Sequence, residues 1–396
     1  MQYLKKFLIL IFIAFCFQGN TQETMNYDAV NIQSYALYEK GSWKDLLAYG
    51  KKAVEQGQDF TLLRLRMGYA AFMQSDFSQA IIQYEQILKN DSYNSTAHYY
   101  IWLCRTYLNQ TALAALQMPF LSDKVLAKEK KKGFVITGSG LETSFKTTDL
   151  ITRGNTFFQY LGVQNRFGTK LTMDMAGTYF NQSIQSQTTG MPPGGTLKTS
   201  SITQTEFYNK LTFNLHPRWQ LKAAYHYANT VFDVSSFQNH AAFAAIKYHS
   251  NYFDIQIEGI YSNMFDSSIS QASLQLGYYP KGNMNIYGFS TATIRNRPNQ
   301  SGFNFKQVLG AKVYKGIWLE ANATLGSFRD LFENDAKYLY NAPDENRFKG
   351  GLVSYISLSP KCTLELGYTL EQRAIVNNSN SLFTQHSITG GLSWKF

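Results

Sequence analysis

The sequence predicts an α+β multidomain protein, a short α-helical repeat solenoid followed by an antiparallel transmembrane β-barrel of about fourteen strands. Three observations predict it. Residues 27 to about 128 carry helical periodicity and few strand signals. From Gly133 onward the chain becomes a series of segments ten to fourteen residues long, the length of tilted membrane strands. Many of those segments alternate apolar and polar residues. The boundaries read 1–20 for a signal peptide, 22–128 for the helical domain, 129–132 for a basic linker and 133–396 for the barrel.

The N-terminus sets the compartment. Lys5 and Lys6 precede an apolar run from Phe7 to Phe17, too short to span a bilayer and typical of a secretory signal. Cleavage is expected near Gly19 or Asn20. Phe15 stands where lipoprotein processing at Cys16 needs a small residue, so ordinary cleavage is expected. The 27 Tyr and 29 Phe suit strand faces and interfacial girdles. Mean hydropathy is only −0.28, as it must be if half of every strand faces water. The formal charge of +10 suits anionic headgroups, and no compact basic motif with interleaved aromatics points to nucleic acid. Cys104 and Cys362 lie in different halves without C-x-x-C or metal spacing, and read as free structural thiols.

Within the helical part a repeat recurs at a spacing of 34 residues. Gly41-Ser42-Trp43 corresponds to Ser75-Asp76-Phe77, and Ala53 to Ile87. The best copy, 61–94, carries Met67-Gly68, Ala71, Phe77, Ala80, Tyr84 and Ile87, and Asn90-Asp91 turns the chain. Small residues let two helices approach and aromatics fill the groove between them. This pattern resembles the tetratricopeptide (TPR) repeat, although the proline usual at its end is absent. A weaker copy spans 27–60, and a third pair runs from Tyr93 to Asn109 and from Ala112 until Pro119 interrupts it. The resemblance implies a concave surface for a protein or polymer partner. Tyr35, Tyr38, Arg64, Tyr69, His98 and Tyr99 are the candidate groove residues, with interhelix core as the competing role. Lys124, Lys128 and Lys130 to Lys132 then form a basic run suited to lipid headgroups or to a solvated linker.

The strands are expected at 133–146, 155–167, 169–182, 201–215, 218–231, 238–249, 252–263, 269–279, 283–296, 302–314, 317–328, 348–358, 361–372 and 383–396. In the seventh, Phe253, Ile255, Ile257 and Tyr261 oppose Asp254, Gln256 and Glu258. A charge on a lipid face costs roughly 2–4 kcal/mol at the midplane, so the charged set must face inward. Connections after even strands read as tight: 168, 216–217, 250–251, 280–282, 315–316 and 359–360. Those after odd strands read as longer: 147–154, 183–200, 232–237, 264–268, 297–301, 329–347 and 373–382. Residue 133 and Phe396 then fall on the short-turn side.

The last segment places Ile388, Leu392, Trp394 and Phe396 on one face, with Ser387, Thr389, Ser393 and Lys395 on the other. Ending in phenylalanine, it resembles the closing strand of bacterial outer-membrane barrels. That resemblance implies an assembly signal read by the barrel assembly machinery, contact with outer-membrane lipid and lipopolysaccharide, and helical repeats in the periplasm. The whole plan resembles two groups, polysaccharide exporters that join helical repeats to a barrel and the smaller YaiO-type barrels.

Chemistry is sparse. His386-Ser387 and His249-Ser250 have no hydrolase spacing, and strand neighbours face opposite ways, so no catalytic residue is assigned. No phosphate, zinc or calcium motif appears, and no metal or cofactor is expected. The acids Asp330, Glu333, Asp335, Asp344 and Glu345 read as a solvated outer loop, with divalent cations or lipopolysaccharide as alternative ligands. The lumen is the remaining candidate. Asp174, Glu206, Lys210, Lys222, Lys247, Asp254, Glu258, Lys306, Lys312, Glu320 and Glu365 are expected to line it, bracing the wall or forming a path for polar solutes. The expected function is a non-enzymatic outer-membrane protein whose repeats recruit a partner while its barrel anchors it or conducts a polar solute. The alternative is a porin or uptake channel with the helical domain as a partial plug.

Overall fold

The computed structural model describes residues 25–126, 133–186, 198–265, 267–298, 300–341, 344–375 and 378–396. The signal segment and the lysines at 128 and 130–132 lie outside the described residues. Helices α1 Tyr27–Glu39, α2 Trp43–Glu55, α3 Thr61–Met73, α4 Phe77–Asn90, α5 Ser95–Tyr107, α6 Thr111–Ala115 and α7 Asp123–Leu126 come first, with a 3-10 turn at Met118–Phe120. Among the described residues sixteen strands follow, fourteen of which close into one antiparallel barrel. These are β1 Phe134–Thr148, β2 Arg153–Phe167, β3 Leu171–Ser186, β4 Lys198–His216, β5 Trp219–Phe232, β6 Ser235–His249, β7 Phe253–Met264, β8 Ser267–Tyr278, β9 Ile286–Arg297, β10 Gln300–Tyr314, β11 Ile317–Phe328, β14 Glu345–Ser357, β15 Cys362–Ile375 and β16 Asn378–Lys395. The remaining two, β12 Leu331–Glu333 and β13 Tyr338–Tyr340, form a separate hairpin.

The chain divides into two compact units at Gln74/Ser75, inside the best-matching repeat. In the first unit Val30, Ala53, Leu63 and Met67 form the core. Gly50 belongs to that packing, because a Cβ there would collide with the Met67 side chain. Asn26 caps α1 by accepting a hydrogen bond from the Ala29 amide at 2.8 Å.

In the second unit the helices meet the short-turn end of the barrel. Asp76 caps α4 and also accepts hydrogen bonds from the Tyr252 hydroxyl at 3.2 and 3.3 Å. The Ser78 amide donates to the Gly282 carbonyl at 3.1 Å, and its hydroxyl donates to the Asn251 carbonyl. Glu85 takes Arg218 at 2.7 Å and Arg105 at 3.5 Å. Asn214 donates to the Ala112 carbonyl at 2.8 Å.

The barrel is inside-out relative to a soluble core. Along β7, Phe253, Ile255, Ile257 and Tyr261 are exposed on the outside, while Asp254 and Gln256 are buried inside. On β16 Ile388, Leu392 and Trp394 are likewise exposed and outward, and Phe396 just beyond it is exposed too. β16 pairs with β1 from Gly138↔Lys395 to Thr148↔Gln385, and this ladder closes the circle. Aromatic pairs such as Phe134–Phe167 and Trp219–Tyr248, with ring centroids 5.2 and 4.8 Å apart, mark the short-turn rim.

The loop rhythm differs from the expectation. Strands run further than the sequence suggested, so only Asp233-Val234 separates β5 from β6, while β8 already begins at Ser267, β10 at Gln300 and β16 at Asn378. Residues such as Ser235, Ser236, Gln300 and Ser301 look like loop residues but pair in the ladder. Strand ends beyond the lipid face water on both sides, so polarity does not mark where pairing stops. Conversely, the turn expected at 280–282 is a longer connection from Tyr279 to Asn285, fastened to α4.

Candidate functional site

The site is the barrel lumen and the hairpin β12–β13 that occupies part of it. The segment between β11 and β14 was expected to be a solvated acidic loop. Instead it folds inward, and four of its acids are paired. Asp335 at the tip meets Lys210 and Lys222, each at 2.9 Å, and accepts from the Gln256 amide at 2.9 Å. Glu333 sits between Lys306 at 2.9 Å and Lys349 at 3.0 Å. Asp330 pairs with Arg297 at 2.5 Å, and Asp344 with Arg153 at 2.6 Å. Burial alone would push these carboxyls up. At Asp335, Lys222 and Lys210 outweigh it and hold the acid well below the ordinary carboxylate range. At Glu333, Lys306 and Lys349 do the same and bring it to about 2.

The inward turn has an apolar cause as well. Phe332 and Ala336 pack with Phe243, Ile260, Met264 and Ile269, which line one side of the lumen on β6, β7 and β8. Gln271 holds both backbone groups of Phe332, donating to its carbonyl at 2.9 Å and accepting from its amide at 3.1 Å. His226 lies 2.7 Å from the Ala336 carbonyl and 3.0 Å from Glu206. The tip is tightly wound, with Asn334, Asp335 and Ala336 all at positive φ of 55°, 59° and 65°. Two signals for this were present in the sequence. Leu331, Phe332, Tyr338, Leu339 and Tyr340 interrupt the acids, and β6 is apolar on both faces from Ala241 to Ile246. A barrel strand with an apolar inner face needs something to cover it.

Beside the hairpin a cavity of about 1550 Å³ remains, of mixed polar and apolar lining and bounded by wall residues of β1–β3, β14–β16 and others. Asp174, Glu206, Lys210, Lys222, Glu258, Lys306, Glu320 and Glu365 line it. A second cavity of about 300 Å³ lies at the short-turn end under the α5–α6 corner, Leu108 to Leu113, and is lined by Lys247 and Asp254. Asp254 there accepts from Tyr279 at 2.8 Å and lies 3.2 Å from Lys247 and 2.8 Å from His249. Of the expected lumen set, Lys312 departs. It is exposed at the short-turn rim with its ammonium 4.8 Å over the Trp318 ring, because β10 ends two residues later.

The groove candidates also separate. Tyr38 packs with Trp43 and Tyr69 at centroid distances of 5.7 and 5.4 Å, Tyr35 lies under Arg66 at 5.2 Å, and Arg64 pairs with Asp59 at 2.7 Å. His98 is not a groove residue. It is buried, 2.6 Å from Gln117 and stacked on Phe120. Tyr99 packs against Ala115, Met118, Leu121 and Leu126, because the chain after α6 folds back over α5. Burial pushes the Cys104 thiol up, and Cys104 and Cys362 are free. His386 and Ser387 face opposite sides, the histidine exposed against Tyr368 and the serine buried. No cluster of three metal-ligating side chains is found among the described residues.

No family model matches the chain, and no curated protein matches it. Solved structures do. The TodX deltaS2S3 mutant monoaromatic hydrocarbon channel aligns at 7% identity over 68% of this chain and 91% of its own, with a TM-score of 0.46. A Pseudomonas aeruginosa FadL homologue aligns at 9% identity over 71% and 91%, TM-score 0.42. The Acinetobacter baumannii outer membrane protein Omp33 aligns at 9% identity over 66% and 99%, TM-score 0.39. At these identities and scores the likeness carries no role over to this chain.

Proposed function

We propose that this chain is a non-enzymatic outer-membrane barrel that conducts small polar solutes along a lumen narrowed by its own hairpin, with the helical part on the periplasmic side recruiting a partner. One observation supports it above the rest. The hairpin leaves a cavity of about 1550 Å³ beside it, lined by charged and apolar side chains together. A barrel serving only as an anchor needs no such space. The apolar exterior and polar interior support the membrane placement, since in lipid every backbone polar group must be paired within the protein and a closed barrel does this.

The α5–α6 corner favours a second element in the same reading. It lies over the smaller cavity at the base of the lumen, where the helices act as a partial plug. The test is swelling of proteoliposomes holding the full chain in neutral sugars of rising size. The proposal expects entry of the smallest sugars with a sharp size cut-off. Liposomes that swell no faster than empty ones in any sugar would reject conduction and leave an anchor.

A further inference from the structure

Most lumen carboxylates have a cationic partner. Asp335, Glu333, Glu371, Asp330, Asp344, Asp254 and Asp174 each meet a lysine or arginine. Among the described residues Glu258 and Glu320 lack one, and so do two carboxylates on the wall of β1, β16 and β15. Glu142 accepts a hydrogen bond only from the Tyr338 hydroxyl, at 2.7 Å, and Glu365 has neither hydrogen bond nor ion pair among the described residues. The two face the cavity in one row, because Glu142 and Glu365 both register with Gly391 on the strand between them. Two strand steps set them roughly 10 Å apart. Gly391 leaves the space between them open, and a Cβ there would touch Glu365 at 3.4 Å. Tyr160 stands beside Glu142 in register on β2 and faces the same cavity.

Lys146 and Arg373 of this wall are both taken up by Glu371, and the cation that reaches Tyr160 comes from the hairpin. The Lys337 ammonium lies 4.1 Å from the Tyr160 ring centroid and 4.7 Å from that of Tyr338. The two rings are 6.2 Å apart. Lys337 has no carboxylate within ion-pair distance among the described residues, and burial holds its ammonium below the ordinary lysine value. A cation on aromatic faces beside unmatched carboxylates is the chemistry that recognises an ammonium or guanidinium group.

We propose that Tyr160, Glu142 and Glu365 form a binding site for organic ammonium or guanidinium cations, occupied in this structure by the chain's own Lys337. The hairpin then acts as a tethered competitor, and a solute cation binds by displacing it. This deepens the conduit reading by naming a solute class and rests on it only for access to the lumen. Equilibrium binding is scored without conduction. A barrel that conducts but binds no cation fails this inference alone.

The experiment is calorimetric titration of spermidine into the full chain in detergent micelles at low salt. Removing the competitor raises apparent affinity by the inverse of the fraction of time the site is free, about tenfold for a site occupied nine-tenths of the time. Lys337→Gln should therefore bind about tenfold tighter than the native chain, and Lys337→Arg should not gain. Glu365→Gln removes a group with no hydrogen-bond or ion-pair partner among the described residues, so folding is not at stake, and it should weaken binding in either background. Affinity unchanged by Lys337→Gln, or binding indifferent to Glu365→Gln, overturns the proposal.

Discussion

Replacing Asp335 with alanine leaves two lumen ammonium groups without their shared carboxylate. Lys210 keeps Asp174 at 3.0 Å, but Lys222 has no other acid within ion-pair distance among the described residues. Removing one partner of a buried pair costs about 3–5 kcal/mol, because the remaining charge stays desolvated. The tip carries a second cost already. Left-handed backbone costs a non-glycine residue on the order of 1–2 kcal/mol, less for Asn and Asp, and three residues in a row adopt it here. The ion pairs oppose that strain. At 1.4 kcal/mol per decade, their loss should raise the undocked fraction of the hairpin about 100- to 4,000-fold. Native-state amide exchange reads this directly, since local opening exchanges independently of the barrel. Protection over 331–340 should fall by that factor while strand amides of β5–β8 stay unchanged. Unchanged protection in the hairpin would refute the argument that charge holds it in the lumen.

Phe332→Ala should release the hairpin by the other route. Emptying its place against Phe243, Ile260 and Met264 costs about 3–5 kcal/mol, and trypsin should then cut the folded barrel at Lys337. Acid should loosen the hairpin only well below neutrality. Glu333 titrates lower when docked than when free, so its contribution is complete above the ordinary glutamate pKa of about 4.3 and fades as pH falls towards 2. Exchange protection over 331–340, corrected for intrinsic rates, should be flat from pH 8 to 5 and decline below about pH 4. Ile257→Lys on the lipid face should destabilise the barrel by roughly 2–4 kcal/mol, whereas Gln275→Lys on the lumen side should be close to neutral, both read from unfolding in liposomes.

The barrel was legible because the lipid face imposes a strict rule. Phe253, Ile255 and Ile257 cannot be polar, and their neighbours Asp254 and Gln256 cannot be outside, so period two survives in the sequence. The hairpin was not legible by that rule. Its acids are what a solvated loop contains, and what makes them interior is cations on the barrel wall, Lys210 and Lys222 more than a hundred residues from Asp335 and Lys306 and Lys349 at Glu333. Strand ends were misplaced for a related reason, since Ser and Gln beyond the membrane pair as readily as they loop. His98 and Tyr99 looked like groove residues because helical spacing cannot foresee that Met118 to Leu126 return over α5.

The most direct test of the account is single-channel conductance in a planar bilayer. The full chain should be compared with a variant whose residues 331–340 are replaced by a short Gly-Ser turn. The account predicts small, steady openings for the full chain and a clear rise in unitary conductance when the hairpin is removed. Silence in both forms, or equal conductance in both, would contradict it.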